Sequence, residues 1–335
     1  MKIKKIVFLL FAAGLFQTAE GQVHKPAPTD TPVSMMEKLD RGLVVIKASG
    51  TDKYFASWRY LGTDDTNTSF TLLKNGVPYK SNILNATSLS VNSSVSDKWQ
   101  VITLHNGASV DTTAAVLPWE NYYKTLKLDR PASGSDYAYT PNDCSVGDVD
   151  GDGQYELFVK WDPTNSKDNS QSGITGDVYI DCYKLDGTKL WRVDLGKNIR
   201  AGAHYTQFLV YDFDRDGKAE MICKTAPGTI DGAGNYVNQA ATDAAIKSQD
   251  NTMVYRDSYG RIMSGPEYLT VFNGLTGAAI HTIYYNPNRA GTFNQVGAYP
   301  DKSFWGDSYA NRSERYNATV AYLDGADANP SAVMC

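Results

Sequence analysis

Cysteine is scarce in this sequence, with four in 335 residues. That is too few for a disulfide-dense scaffold, and no C-x-x-C spacing occurs to suggest zinc. Basic charge is also short: 32 Lys and Arg stand against 37 Asp and Glu, a net charge of −5. A nucleic-acid binder normally carries a basic face, so that class is excluded. Long apolar runs are missing too. The longest, Ile6–Phe16, covers about eleven residues, where a membrane span needs roughly 20. Sustained helical periodicity is nearly absent. Only Gln239–Ser248 (QAATDAAIKS) reads as helix, inside a polar insertion from Gly228 to Asp257. What remains is 42% hydrophobic residues and 22 Tyr. That is ample for a packed core and favours strands.

The first residues read as an address. Lys2, Lys4 and Lys5 precede the apolar run, and small residues Ala19 and Gly21 follow it, the layout of a secretory signal peptide over 1–21. Cleavage after Gly21 removes three Lys and one Glu and takes the net charge from −5 to −7. A secreted or periplasmic location is expected. Residues 22–32, including HKPAPTDTP, read as a Pro-rich linker.

The remainder divides in two. From 33 to 125 short strands alternate with turns, among them 43–46, 55–58, 70–73 and 99–104. Asn75-Gly76 supplies a hairpin turn of the type that needs positive φ. A β-sandwich is expected there. From 137 the sequence repeats. SVGDVDGDGQYELFVK (145–160) aligns without gaps to LVYDFDRDGKAEMICK (209–224), 64 residues on, and 319–334 is a weaker third copy. Two strand–turn–strand segments, Val178–Arg192 and Leu269–Ile283, alternate with these. Alternating hairpin types predict successive blades of a β-propeller. A jelly roll or second sandwich would not repeat internally.

Each strong repeat carries D-x-D-x-D-G-x-x-E. Asp148, Asp150, Asp152 and Glu156 form the first set, and Asp212, Asp214, Asp216 and Glu220 the second. Alternate carboxylates in a tight loop point at one centre, and they would repel one another without a cation. Calcium takes six to eight oxygens in this way and is the expected ion. Gln154 and Lys218 stand where a main-chain carbonyl would be the ligand, so residue type is free to vary. Because the loops recur at equivalent positions, they are expected to be structural. Cys144, Cys182 and Cys223 lie in apolar strand contexts. An even count in a secreted chain permits two disulfides, but the strand positions favour free thiols as small buried hydrophobes.

Pro141-Asn142-Asp143, Lys160-Trp161-Asp162-Pro163, NSKDNSQSG (165–173), AGAHYTQF (201–208), SGPEYLTVF (264–272) and WGDSYANRSERY (305–316) join the acidic loops in a fixed order. Together they resemble the rhamnogalacturonan lyases of polysaccharide lyase family eleven, from about Met35 to the last residue. The resemblance implies an N-terminal β-domain and an eight-bladed propeller holding several calcium ions. It implies calcium-dependent β-elimination on the rhamnose–galacturonate backbone of pectin by a secreted, monomeric enzyme. It further implies a substrate cleft lined by Asn142 and Asp162, with Asp143 a possible added metal ligand and Asp177 and Asp307 weaker ones. Removing the weakly acidic proton beside a uronate is helped by neutralising the carboxylate. Arg200 and His204, with Arg192 and Lys197, are the basic residues expected to add to that. Trp161, Tyr205 and Trp305 are expected to be core more than stacking platforms. The residues from 137 to 335 suffice for about four to five blades. The chain therefore reads as a truncated form, with the family's basic catalytic pair expected beyond Cys335 and no activity expected of it alone. The competing reading is a calcium-loop propeller that binds polysaccharide or serves adhesion without catalysis.

Overall fold

The computed structural model describes residues 38–291, 302–314 and 317–334. The expected signal peptide, the linker and Cys335 lie outside them. The chain is all-β, and it divides into two compact units. One is Leu39–Leu126 with Asp152–Gln154; the other is Lys127–Gly151 with Tyr155 onward. Among the described residues no helix is long and apolar enough to cross a membrane.

The first unit contains β1 (Val44–Lys47), β2 (Lys53–Ser57), β3 (Thr68–Lys74), β4 (Val77–Ile83), β5 (Ser88–Asn92), β6 (Trp99–His105) and β7 (Ala108–Thr112). They form two antiparallel sheets, ordered β1-β2-β5 and β4-β3-β6-β7. Alternation sets the faces: Val45, Tyr54, Ala56, Leu89 and Val91 from one sheet share a buried core with Phe70, Leu72, Trp99 and Val101 from the other. This is the expected sandwich arrangement. The β3–β4 turn has Asn75 at φ 52° and Gly76 at φ 78°, as the Asn-Gly pair predicts. The same pair at Asn106-Gly107, φ 52° and 79°, turns β6 into β7, a hairpin that the sequence reading passed over.

The second unit is built from antiparallel meanders. β8 (Tyr139–Gly147), β9 (Glu156–Pro163), β10 (Tyr179–Tyr183) and β11 (Lys189–Asp194) make one four-stranded sheet in chain order. β12 (Phe208–Tyr211), β13 (Glu220–Thr225), β14 (Tyr268–Asn273) and β15 (Ala279–Tyr284) make a second. β16 (Ala318–Ala321) and β17 (Ser331–Met334) pair antiparallel where the third repeat was read. β9 and β13 are buried along their whole length, so Leu157-Phe158-Val159 and Met221-Ile222-Cys223 are apolar at successive positions without alternation. Phe158, Ile180, Trp191 and Val193 of the first meander share a core with Met221, Cys223, Phe272 and Tyr284 of the second. Trp191 Nε1 donates to the Gly274 carbonyl at 2.7 Å, which orients the largest of these side chains.

The ladder register corrects one alignment. Tyr179 pairs with Trp161, and Tyr268 pairs with Thr225. Trp161 and Thr225 are equivalent in the 64-residue repeat, so Tyr179 matches Tyr268 and Lys184 matches Asn273. Val178–Arg192 and Leu269–Ile283, matched from their first residues, are therefore two residues out of register, and their turns differ by one residue, five between Tyr183 and Lys189 and six between Phe272 and Ala279. The helix expected over Gln239–Ser248 is smaller than read. It is a short 3₁₀ segment, Val237–Ala240, and one α-turn, Ala244–Lys247, capped by the Asp243 carboxylate. Three cysteines are free. Burial pushes the thiol pKa of Cys182 up and that of Cys223 to about 12, as befits inert core residues. Cys144, expected to be buried, is exposed on β8.

Burial, and next the nearby Asp177 charge, push the Asp194 carboxyl up to about 6, although the Gly196 N–H donates to it at 2.9 Å. A raised carboxyl binds its proton more tightly folded than unfolded. Its contribution therefore falls as pH rises from about 4 to about 6 and is flat above. Asp194→Asn is expected to melt a few degrees above the parent at pH 7 and level with it near pH 4. Thermal melts across that range check the sign.

Candidate functional site

The two acidic loops fold alike. In each, three carboxylates bring an oxygen within 4.8 Å of one another: Asp148, Asp150 and Glu156 in the first, Asp212, Asp214 and Glu220 in the second. The ninth-position glutamate closes each loop on itself. Glu156 Oε2 accepts from the Val149 N–H and Glu220 Oε2 from the Phe213 N–H, both at 2.9 Å. Gly153 and Gly217 hold φ near 90° at the sixth position, which a side chain would resist. The fourth position is also left-handed, Gly151 at φ 78° and Arg215 at φ 65°, so the second loop tolerates a strained non-glycine. Asp152 and Asp216 stand outside the triads. Each accepts the N–H two residues on, from Gln154 and Lys218, at 2.8 Å. They shape the turn.

Both triads fit a hard cation. Their donors are all carboxylate oxygens, buried for Asp148, Glu156, Asp212 and Glu220. The cost of crowding shows in the second loop: burial first, then Asp214, Asp212 and Asp216, push the Glu220 carboxyl up to about 7. Burial likewise raises Asp212. The loops adjoin one another, since the Ala219 N–H donates to the Asp148 carbonyl at 2.7 Å.

Asp143 is placed elsewhere than expected. Its carboxylate pairs with the buried Lys160 ammonium at 2.6 Å and takes no part in the triad. Asp177 faces Arg256 at 3.3 Å, and Asp307 accepts backbone N–H groups from Tyr309, Asn311 and Arg312. Among the described residues neither joins a carboxylate cluster.

A polar floor forms where β8 and β9 meet the loop after residue 200. The Asn142 amide donates to the Asp162 carboxylate. Asp162 is buried, which raises its pKa despite the Lys160 charge. Lys160 and Asp162 are two apart on β9 and so share a face. Lys160 Nζ also donates to the Tyr205 carbonyl at 3.0 Å, tying this floor to the segment that carries His204. The His204 ring is exposed, with Nδ1 2.8 Å from an Asp168 oxygen. Sequence reasoning assigned no role to Lys160 or Asp168. The one signal was that both lie inside the quoted motifs.

Arg200 does not present its charge to solvent. It is 1% exposed, and its guanidinium donates to the carbonyls of Lys167, Gly173, Gln171, Tyr259 and Gly260. It staples two loops together, which corrects its expected substrate role. Arg192 is likewise committed, to Asp181 at 2.7 Å. Trp161 and Tyr205 are core residues, and Trp305 is half-buried with Nε1 on the Arg289 carbonyl.

Two antiparallel units, the second made of repeated meanders with acidic turns, define an all-β protein with a pair of candidate cation loops. The β-sheet domain model of rhamnogalacturonan I lyases matches residues 34–119, and the C-terminal domain model of rhamnogalacturonan lyase family 11 matches 123–335. The chain belongs to rhamnogalacturonan lyase family 11. It is 47% identical over 315 residues to the rhamnogalacturonan endolyase YesW of Bacillus subtilis, covering 92% of this chain and 47% of that protein. It is 45% identical to the exolyase YesX of the same organism, over 89% and 46% of the two. The crystal structure of exotype YesX superposes with a TM-score of 0.78 at 44% identity, over 91% of this chain and 47% of that one. The solved structure of the Bacillus licheniformis rhamnogalacturonan lyase gives 0.76 at 47%, over 91% and 49%. The chain spans about half the length of the curated relatives it matches.

Proposed function

We propose that this protein is a secreted, calcium-dependent rhamnogalacturonan lyase that breaks the pectin backbone by β-elimination. The observation that carries this is identity of 45–47% to an endolyase and an exolyase over about nine-tenths of the chain. In this reading the meanders β8–β11 and β12–β15 are successive propeller blades following a sandwich domain, and the protein is a monomer. Calcium is held by Asp148, Asp150 and Glu156 and by Asp212, Asp214 and Glu220. When bound, it supplies rigid positive charge to a protein that is otherwise acidic. Asn142 and Asp162 are the sugar contacts. A carboxylate that orients an exposed amide offers paired acceptors and donors to vicinal hydroxyls, and His204 lies on the segment tied to the same floor.

Because the chain spans about half the length of those lyases, the activity is proposed for a protein of their full length that contains it: incubated with rhamnogalacturonan, that protein is expected to yield products with an unsaturated end, seen as rising ultraviolet absorbance, and a chelator is expected to abolish it. No absorbance at any calcium concentration would sink the proposal. Retention on immobilised rhamnogalacturonan without product would favour a binding module instead. Asn142→Ala removes the exposed amide and leaves Asp162 buried without that donor. It is expected to weaken substrate affinity by about 1–3 kcal/mol, roughly 5- to 150-fold, while leaving the melting temperature within a few degrees. Isothermal titration with rhamnogalacturonan oligosaccharides measures it.

A further inference from the structure

The two loops match in backbone and in ligand type, but their surroundings differ in charge. In the first, Lys184 Nζ lies 2.5 Å from Asp150 Oδ2. Lys184 follows β10 at the start of its hairpin turn, and its side chain is about one-third exposed. The ladder register places Asn273 at the equivalent point of the second loop. Asn273 is neutral, and its side-chain oxygen accepts from Thr276, within its own turn. Among the described residues, no Lys or Arg is paired with Asp212, Asp214 or Glu220. One loop therefore carries a tethered cation on a triad carboxylate, and its repeat does not.

We infer that Lys184 is a built-in competitor for the cation of the first loop, so that the two loops bind calcium with unequal affinity, the Asp212 loop the tighter. The inference rests on the calcium reading of the loops. To admit a divalent ion at the Asp148 triad, the ammonium must leave Asp150, and while it stays near, it repels the ion. The displaced Lys184 then returns to water, which its exposure allows at little cost. The Asp212 triad has no such contact to break. Falling calcium therefore empties the Asp148 loop first, and that loop lies next to the strands that carry Asn142 and Asp162.

Calcium titrated calorimetrically into the chelator-treated protein is expected to show two classes of site. An exposed ion pair is worth up to about 1 kcal/mol, so Lys184→Met should tighten the weaker class about fivefold and leave the tighter class unchanged. Lys184→Arg, which keeps the charge, should behave like the parent. Asp150→Asn should remove the weaker class and Asp214→Asn the tighter. The inference is overturned if Lys184→Met moves neither class, or if Asp150→Asn removes the tighter one. The absence of any calcium binding would instead overturn the calcium reading itself. Lys184 sits at a part-exposed turn, so its variants are expected to fold even where the carboxylate variants do not.

Discussion

Glu267→Gln is expected to destabilise the second unit by about 3–5 kcal/mol, the usual loss when one partner of a buried ion network is removed. Glu267 is 1% exposed and lies between two cations: Lys224 Nζ at 2.5 Å and Arg289 Nη2 at 2.8 Å. Glu314 completes the group, 2.7 Å from Lys224 and 3.5 Å from Arg289. Four buried charges thus sum to zero. With the amide in place of Glu267, two buried cations would face one carboxylate. Burial alone would raise the Glu267 carboxyl, but Arg289 and then Lys224 overcome it and hold it well below the usual range. A depressed carboxyl stabilises the fold above its unfolded pKa, and that contribution is lost as pH falls through the folded value. The parent should therefore lose stability steadily below about pH 4.5, and Glu267→Gln should lack that limb. Urea melts at pH 7 and pH 3 test both parts. A loss under 1 kcal/mol at pH 7 would show that the network contributes little. The double variant Lys224→Met/Glu267→Gln, which leaves Arg289 and Glu314 as one balanced pair, should lose less than the sum of the singles.

That network could not be read from the sequence, and the reason is general to this chain. Lys224 lies on β13 and Glu267 immediately precedes its neighbour β14, yet Arg289 and Glu314 come from connecting segments whose path no local pattern fixes. Spacing reveals what one segment does by itself. The D-x-D-x-D-G-x-x-E loops, their paired glycines and the Asn75-Gly76 hairpin are local, and they appear where the residues place them. There three acids of each loop converge, while Asp152 and Asp216 accept N–H groups of the turn. Partner choice between segments is a tertiary property. Arg200, Arg192 and His204 looked alike as basic residues of one stretch. Packing buries the first among carbonyls, commits the second to Asp181 and leaves the third exposed on Asp168. Cys144 went astray in the same way, because β8 turns that side chain outward whatever its neighbours suggest.

Chelation is expected to act on one unit more than the other. A site occupied at a thousand times its dissociation constant adds about 4 kcal/mol to the state that binds. Both triads lie at strand junctions of the meanders, between β8 and β9 and between β12 and β13. The sandwich core of Val45, Phe70 and Trp99 has no acidic triad among its described residues. Calorimetry in excess calcium and in chelator should therefore show the transition of the second unit falling by many degrees while that of the sandwich moves little. Magnesium should restore less than calcium does, because it gives up its waters reluctantly for a cluster of carboxylates. The ligand variants should divide according to what else each acid does. Asp214 is exposed, and its one hydrogen bond is from the Asp216 N–H at 3.1 Å. Asp214→Asn can keep that bond, so it should remove the second loop's share of the calcium response and leave the chelated protein nearly unchanged. Asp212 accepts from the N–H groups of Asp216 and Gly217 as well. Asp212→Ala should lower stability even in chelator, since the Gly217 N–H loses its acceptor and the Asp216 N–H keeps only Asp214. Equal melting of parent and Asp214→Asn in saturating calcium would mean that the second loop is a turn held by its own hydrogen bonds, with no cation contributing to the fold.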